Sequence, residues 1–172
     1  QKTFDALTDA VKRRSKQQQQ LRRTSGSLGY ALVTGASRGI GRALAVELAR
    51  WQFPLILVAR DLDKLMVLAK DLEQCYGVPC VVIQADLCKP NAAEKIHRAT
   101  TKAGLDVEVL VNNAGFCSYG PLIDTDPAKI QEQILLNVGS VTMLSRLYGK
   151  DMKQRRKGRM LIVSSVAGLG NG

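Results

Sequence analysis

A chain of 172 residues, 45% of them hydrophobic, has the length of one domain with an appendage and enough apolar material for a sizeable core. The formal net charge of +10 is unevenly placed: seven Lys/Arg against two Asp precede Gly29, and much of the remaining excess gathers between Lys150 and Arg159. No run of about 18 apolar residues exists to form a membrane-spanning helix, and no zinc-ligand spacing, aromatic-studded basic face or RNA-binding signature points to nucleic acid.

Residues 1–27 read as a basic extension and linker. Phe4, Leu7 and Val11 stand at the spacing of one amphipathic helix, followed by Lys12, Arg13, Arg14 and Lys16; Thr24 to Ser27 form a flexible joint. A solvated tail fits this composition, and so does a helix docked on a protein partner or a membrane surface. The chain opens on Gln1 rather than Met, which suggests processing or a piece of something longer.

From Tyr30 the pattern alternates strand and helix. Tyr30–Val33 is a short apolar strand, and Ile40–Ala49 a largely apolar helix. Pro54–Ala59 is a continuous apolar run, as in a parallel strand covered on both faces. The spacing then predicts a helix over Leu62–Tyr76, a strand over Cys80–Gln84, a helix over Asn91–Lys102 and a strand over Val107–Val111. A long helix is predicted over Lys129–Lys157, with Ile130, Ile134, Val138, Val141 and Leu144 facing inward, and a fifth strand over Met160–Val163. Such alternation implies an α/β fold: a parallel sheet with right-handed crossovers and helices on both faces. The four cysteines, Cys75, Cys80, Cys88 and Cys117, show no C-x-x-C, and His97 is the single histidine. Free thiols in a reducing intracellular compartment, rather than a secreted disulfide framework, are expected.

Between the first strand and helix lies Thr34-Gly35-Ala36-Ser37-Arg38-Gly39-Ile40-Gly41. Amides at a helix start lack partners within the helix and can bind an anion, and glycine lets a diphosphate approach the backbone. The spacing is G-x-x-x-G-x-G, not the G-x-G-x-x-G dinucleotide fingerprint. Taken alone, it also fits a glycine-rich turn that binds nothing.

Further pieces fall at predicted strand ends: Ala59-Arg60-Asp61, Ala85-Asp86-Leu87, Val111-Asn112-Asn113-Ala114-Gly115 and Ser164-Ser165-Val166-Ala167-Gly168, with Leu136-Asn137-Val138 in the long helix. This ordered set resembles the short-chain dehydrogenase/reductase family from about Leu28 to Gly172, and its wording is similar to that of ketoacyl and ketosteroid reductases. The resemblance implies a Rossmann-type doubly wound parallel sheet of strand order 3-2-1-4-5, here truncated. It implies a cofactor held by Gly35, Ser37, Arg38, Gly39, Ile40 and Gly41, with Asp86 and Leu87 at the adenine. Asn112, Ala114 and Gly115 would form the turn beside the adenosine ribose, while Asn113 reads as structural. Asn137 matches the family's catalytic Asn and Ser165 its catalytic Ser.

Arg38 and Arg60 place two guanidinium groups near the adenosine ribose, and a planar fork pairs well with phosphate oxygens. That favours NADP(H) over NAD(H). Asp61 either faces solvent or softens the preference. The expected activity is hydride transfer between the nicotinamide and a small carbonyl or alcohol substrate. The family's acid/base Tyr, with Lys four residues on, has no counterpart: no Y-x-x-x-K occurs, and Tyr148 and Lys150 are wrongly spaced. The 172 residues alone are therefore expected to be inactive. The fifth strand and long helix are expected to be left partly uncovered, for more chain or a protein partner to cover. The alternative is a non-catalytic nucleotide-binding or structural subunit of a larger assembly.

Overall fold

The computed structural model describes residues 28–165. The basic extension at 1–27 and the last residues of the Ser165-Val166-Ala167-Gly168 motif lie outside them. Five strands alternate with helices: β1 (Tyr30–Thr34), α1 (Gly39–Arg50), β2 (Leu55–Ala59), α2 (Leu62–Tyr76), β3 (Cys80–Gln84), α3 (Ala92–Lys102) and β4 (Val107–Asn112). A short 3-10 turn (Leu122–Asp124) precedes α4 (Pro127–Ile134). A π turn (Leu135–Ser140) then joins α4 to α5 (Val141–Arg155), and β5 (Arg159–Ile162) follows.

All neighbouring strands pair in parallel, in the order β3-β2-β1-β4-β5. The chain winds outward from β1 through β2 to β3, then returns to the other side of β1 with β4. The strand order thus reverses between β1 and β4, where open α/β sheets bind ligands.

The apolar runs build a sheet covered on both faces. All five residues of β1 and of β2 are buried. Alternate side chains enter two separate cores: Leu32, Ile56 and Leu110 pack under α3 and α5, while Val33, Leu57 and Val111 pack under α1 and α2. Leu32 stands in register with Ile56 on one side and Leu110 on the other, so one apolar row crosses the middle of the sheet. Burying a side chain of this size stabilises by roughly 1.5–3 kcal/mol.

The long helix departs from its predicted form. It begins at Pro127, because Asp126 caps it by accepting a bond from the Ala128 amide at 2.9 Å and proline suits the first helical position. It is then interrupted by the π turn, which holds an additional residue, so a helical count run through it slips. Leu136, Ser140, Leu144, Tyr148 and Met152 face the core. Ile134 and Val138, expected inside, are 57% and 59% exposed.

All four residues of β5 are exposed. Met160, Leu161 and Ile162 are 40–55% exposed, and β5 pairs only with β4 among the described residues. This is the uncovered fifth strand expected from the sequence. No helix of the described residues is long and apolar enough to cross a membrane.

Candidate functional site

A cleft of about 530 Å³ opens at the carboxyl ends of β1, β2, β3 and β4. That is the size range of small-molecule and cofactor sites. The loop after β1 contributes Gly35, Ser37, Arg38, Gly39 and Ile40. The end of β2 contributes Ala59, Arg60 and Asp61, with Lys64 from α2, and the end of β3 contributes Ala85, Asp86, Leu87 and Cys88. Beyond β4, Asn113, Ala114, Gly115 and Phe116 form the opposite wall, closed by Leu136.

The mouth of the cleft is the head of α1. Arg38 is its N-cap in extended backbone, no side chain caps it, and its first turn carries no acid. By contrast, α2 is capped by Asp61 and α4 by Asp126. An uncapped, acid-free helix start leaves amide donors and the positive end of the macrodipole for an anion. The three glycines divide the work. Gly39, at φ +55°, has open space where a Cβ would stand, so the opening to the cleft is there. At Gly41 a Cβ would lie 2.4 Å from both the Gly35 carbonyl oxygen and Asn113 Nδ2. Gly41 therefore lets the loop fold onto α1; it is buried and does not line the cleft, contrary to the expectation that all three glycines face the ligand.

The floor is stitched by a residue that sequence reasoning passed over. Thr34 Oγ1 accepts bonds from the Asn113 amide at 2.9 Å and the Ala114 amide at 3.0 Å, and donates to the Val111 carbonyl at 3.2 Å. Asn113 Nδ2 in turn donates to the Thr34 carbonyl at 2.9 Å. The ends of β1 and β4 are thus tied together directly beneath the cleft. The signal in the sequence was a Thr before the first glycine. Asn112 does not line the cleft: it is buried at the end of β4 and its Nδ2 donates to Ser145 Oγ of α5 at 3.0 Å. Strand alternation sends Asn112 to one face of the sheet and Asn113 to the other.

At the β2 side the charges are Arg38, Arg60, Lys64 and Asp61. Asp61 does not simply face solvent. Its Oδ1 accepts from the Lys64 amide at 3.1 Å, capping α2, and its Oδ2 pairs with Lys64 Nζ. These bonds from Lys64, with the charge of Arg38 nearby, hold its carboxyl below the usual range. At the β3 end, Asp86 Oδ1 accepts from the Cys88 amide at 3.0 Å. Burial beside Asp86 pushes the Cys88 thiol up, so it stays protonated.

Asn137 sits inside the π turn. Its side chain accepts from the Phe116 amide at 3.2 Å and donates to the Phe116 carbonyl at 2.8 Å, holding the loop after β4 against the helix. Ser140 Oγ donates to the Leu136 carbonyl at 2.7 Å, occupying an acceptor of the same turn. The Val163 amide continues the β5 ladder onto Asn112, which carries the chain toward Ser165 at the cleft end of the sheet. Ser165 is exposed. Tyr148 points away from the cleft: its hydroxyl meets Thr100 Oγ1 at 2.8 Å and its ring packs edge-on against His97. None of the four cysteines is in a disulfide; Cys80 and Cys88 are buried, Cys75 and Cys117 exposed.

A family model described as short chain dehydrogenase matches residues 29–172. The 17-beta-hydroxysteroid dehydrogenase type 3 of Homo sapiens is 36% identical over 144 residues, 81% of this chain and 45% of its own length. The very-long-chain 3-oxoacyl-CoA reductase-B of Danio rerio is 38% identical over 151 residues, 84% of this chain and 48% of its own length. The chain thus spans about half the length of the curated relatives it matches. Among solved structures, a short-chain dehydrogenase from Sphingobium yanoikuyae in complex with NADPH superposes with a TM-score of 0.78 at 32% identity, covering 83% of this chain and 56% of that one. The L-sorbose reductase from Gluconobacter frateurii, complexed with NADPH and L-sorbose, gives 0.78 at 28% identity, over 83% of this chain and 54% of that one.

Proposed function

The chain belongs to the short-chain dehydrogenase family, and on that premise we propose that its cleft takes NADP(H) for oxidoreductase chemistry on a small carbonyl or alcohol. One observation carries the choice of cofactor. Arg38 and Arg60 line the cleft, and the acid that lines it with them, Asp61, is committed to Lys64 and to the cap of α2. An acidic residue kept free there would accept from a ribose 2′-hydroxyl and repel a 2′-phosphate; two arginines do the reverse.

When bound, the cofactor supplies a hydride donor or acceptor. This chain's residues would hold and orient the reactants. The first amides of α1 bind the diphosphate, and Arg38 and Arg60 bind the 2′-phosphate. Asp86 would face the adenine amino group with Leu87 beside it, and Ala114 would stand in the turn by the adenosine ribose. The Asn137 turn holds the loop after β4 in place. The hydroxyl of Ser165 donates to the substrate oxygen. Four thiols outside any disulfide fit a reducing intracellular compartment.

The test is binding by the double variant Arg38→Ala with Arg60→Ala, followed by calorimetry. Affinity for NADPH is expected to fall by at least about 30-fold, since two charge-assisted contacts of partly exposed groups are lost. Affinity for NADH is expected to change less than about threefold. Equal losses for both would overturn the 2′-phosphate assignment.

A second reading is nucleotide binding without turnover in a larger assembly. Turnover of the full-length protein with NADPH and a panel of ketones separates the two readings. Binding with no turnover selects the second.

A further inference from the structure

The charged side chains that line the cleft are Arg38, Arg60, Lys64, Asp61 and Asp86. Asp86 follows β3 and is held by the Cys88 amide at 3.0 Å. The others are three cations and one carboxylate. Arg38 and Arg60 make no ion pair among the described residues, whereas Lys64 and Asp61 pair with each other.

The Asp61 carboxylate is fixed where it stands. It is the N-cap of α2, and its Oδ1 accepts from the Lys64 amide at 3.1 Å. The residue before it is tied from the end of β3, where Gln84 Nε2 donates to the Arg60 carbonyl at 2.9 Å. Bonds from Lys64, with the charge of Arg38, hold the Asp61 carboxyl below its usual range, so it is ionised at neutral pH. A negative charge pinned in the lining opposes a phosphate unless something cancels it. Lys64 Nζ, on Oδ2, does so.

The helix itself has little use for this lysine. Lys64 lies in the first turn of α2, at the positive end of the macrodipole, where a cation is disfavoured. An exposed pair three residues apart adds little stability. The cap needs only the backbone amide of residue 64, whatever side chain it carries. What the ammonium alone supplies is a partner for Oδ2.

We propose that Lys64 is a positioning residue for the choice of cofactor: by holding Oδ2 of Asp61, it keeps that carboxylate from the ribose 2′ position and leaves Arg38 and Arg60 to a 2′-phosphate. This role rests on the 2′-phosphate reading above and names the residue that sustains it. Without Lys64, the freed Oδ2 has two other uses. It accepts from a ribose 2′-hydroxyl, or it draws the Arg38 guanidinium, whose charge already acts on it. Either use favours NADH over NADPH, because a 2′-phosphate then meets a like charge or loses an arginine.

The experiment is calorimetry of the full-length protein with NADPH and NADH, on wild type, Lys64→Gln, Asp61→Asn and the double variant Lys64→Gln with Asp61→Asn. Asparagine also caps helices, and thermal midpoints are expected to stay within about 2 °C of wild type. In Lys64→Gln the ratio of NADPH to NADH affinity should fall roughly tenfold. In the double variant it should return to within about threefold of wild type, because no carboxylate is left to hold. Asp61→Asn alone should keep the ratio or raise it. An unchanged ratio in Lys64→Gln would overturn the proposal, and so would a fall in Asp61→Asn. So would a double variant as unselective as Lys64→Gln, since the ammonium would then be meeting the phosphate directly. Wild-type protein that binds both dinucleotides equally would overturn the 2′-phosphate reading and this role with it. A preference lost in Arg38→Ala with Arg60→Ala but kept in Lys64→Gln would overturn the role of Lys64 alone.

Discussion

At Gly39 and Gly41 one added methyl group is expected to do two different things. Gly41→Ala drives a Cβ to within 2.4 Å of the Gly35 carbonyl and Asn113 Nδ2, both fixed by other contacts. A loss of about 2–3 kcal/mol is expected in urea unfolding, with cofactor affinity affected only through the fold. Gly39→Ala meets no protein atom, and its left-handed backbone costs about 1–2 kcal/mol. Its methyl group stands in the anion mouth, so NADPH affinity is expected to fall at least about tenfold by calorimetry, more than its stability loss explains. Thr34→Val keeps the shape and removes the acceptor for the Asn113 and Ala114 amides. About 2 kcal/mol of stability is expected to go with it, because two part-buried donors lose their partner. The glycines were legible in the sequence as a loop; their separate duties were not, since those depend on which atoms lie opposite each missing side chain.

Elements meet at two places where a side chain joins what the chain separates. The π turn and the loop after β4 are held by Asn137 through both polar atoms of its amide. Asn137→Ala is expected to cost about 1 kcal/mol, reduced by exposure, and to raise hydrogen exchange at Phe116 and Ser118 while leaving β4 protected. At the other end of the sheet Glu108 joins β4, the entry to β1 and the entry to β5. Burial pushes its carboxyl up, but Lys157 and the Gly29 amide outweigh burial and hold it below the ordinary value of 4.5. A carboxyl depressed by folding adds stability above its unfolded value and loses it as pH falls through the folded one. Glu108→Gln is therefore expected to be less stable than wild type at neutral pH, with the difference shrinking in denaturant titrations as pH falls below the ordinary value of 4.5 and through the lowered folded one. The helix before β5 was predicted as one unbroken element, and two of its inward residues, Ile134 just ahead of the π turn and Val138 within it, were misplaced. Periodicity presupposes a constant number of residues per turn, and this helix changes that number midway.

In the molecule as a whole, strand ends and an uncapped helix head form the cleft at one end of the sheet. Ligand binding at the cleft should stabilise everything the sheet holds together. NADPH at about a hundred times its dissociation constant is expected to add about 2.7 kcal/mol to unfolding of the full-length protein, with NADH at equal concentration adding less. Thermal midpoints with each dinucleotide check this. Equal shifts would argue against discrimination at the ribose.

The amino-acid sequence by itself determined the alternation of strands and helices, the glycine loop and the family, because these rest on local pattern and on spacing along the chain. The ends of the strands were legible as the site for the same reason: the motifs recur where each apolar run stops. Only the tertiary structure decided that Asn112 turns to Ser145 while Asn113 braces the loop, and that Lys64 takes up Asp61. Those facts depend on which residues, far apart in the chain, the parallel register and the return from β3 to β4 bring side by side.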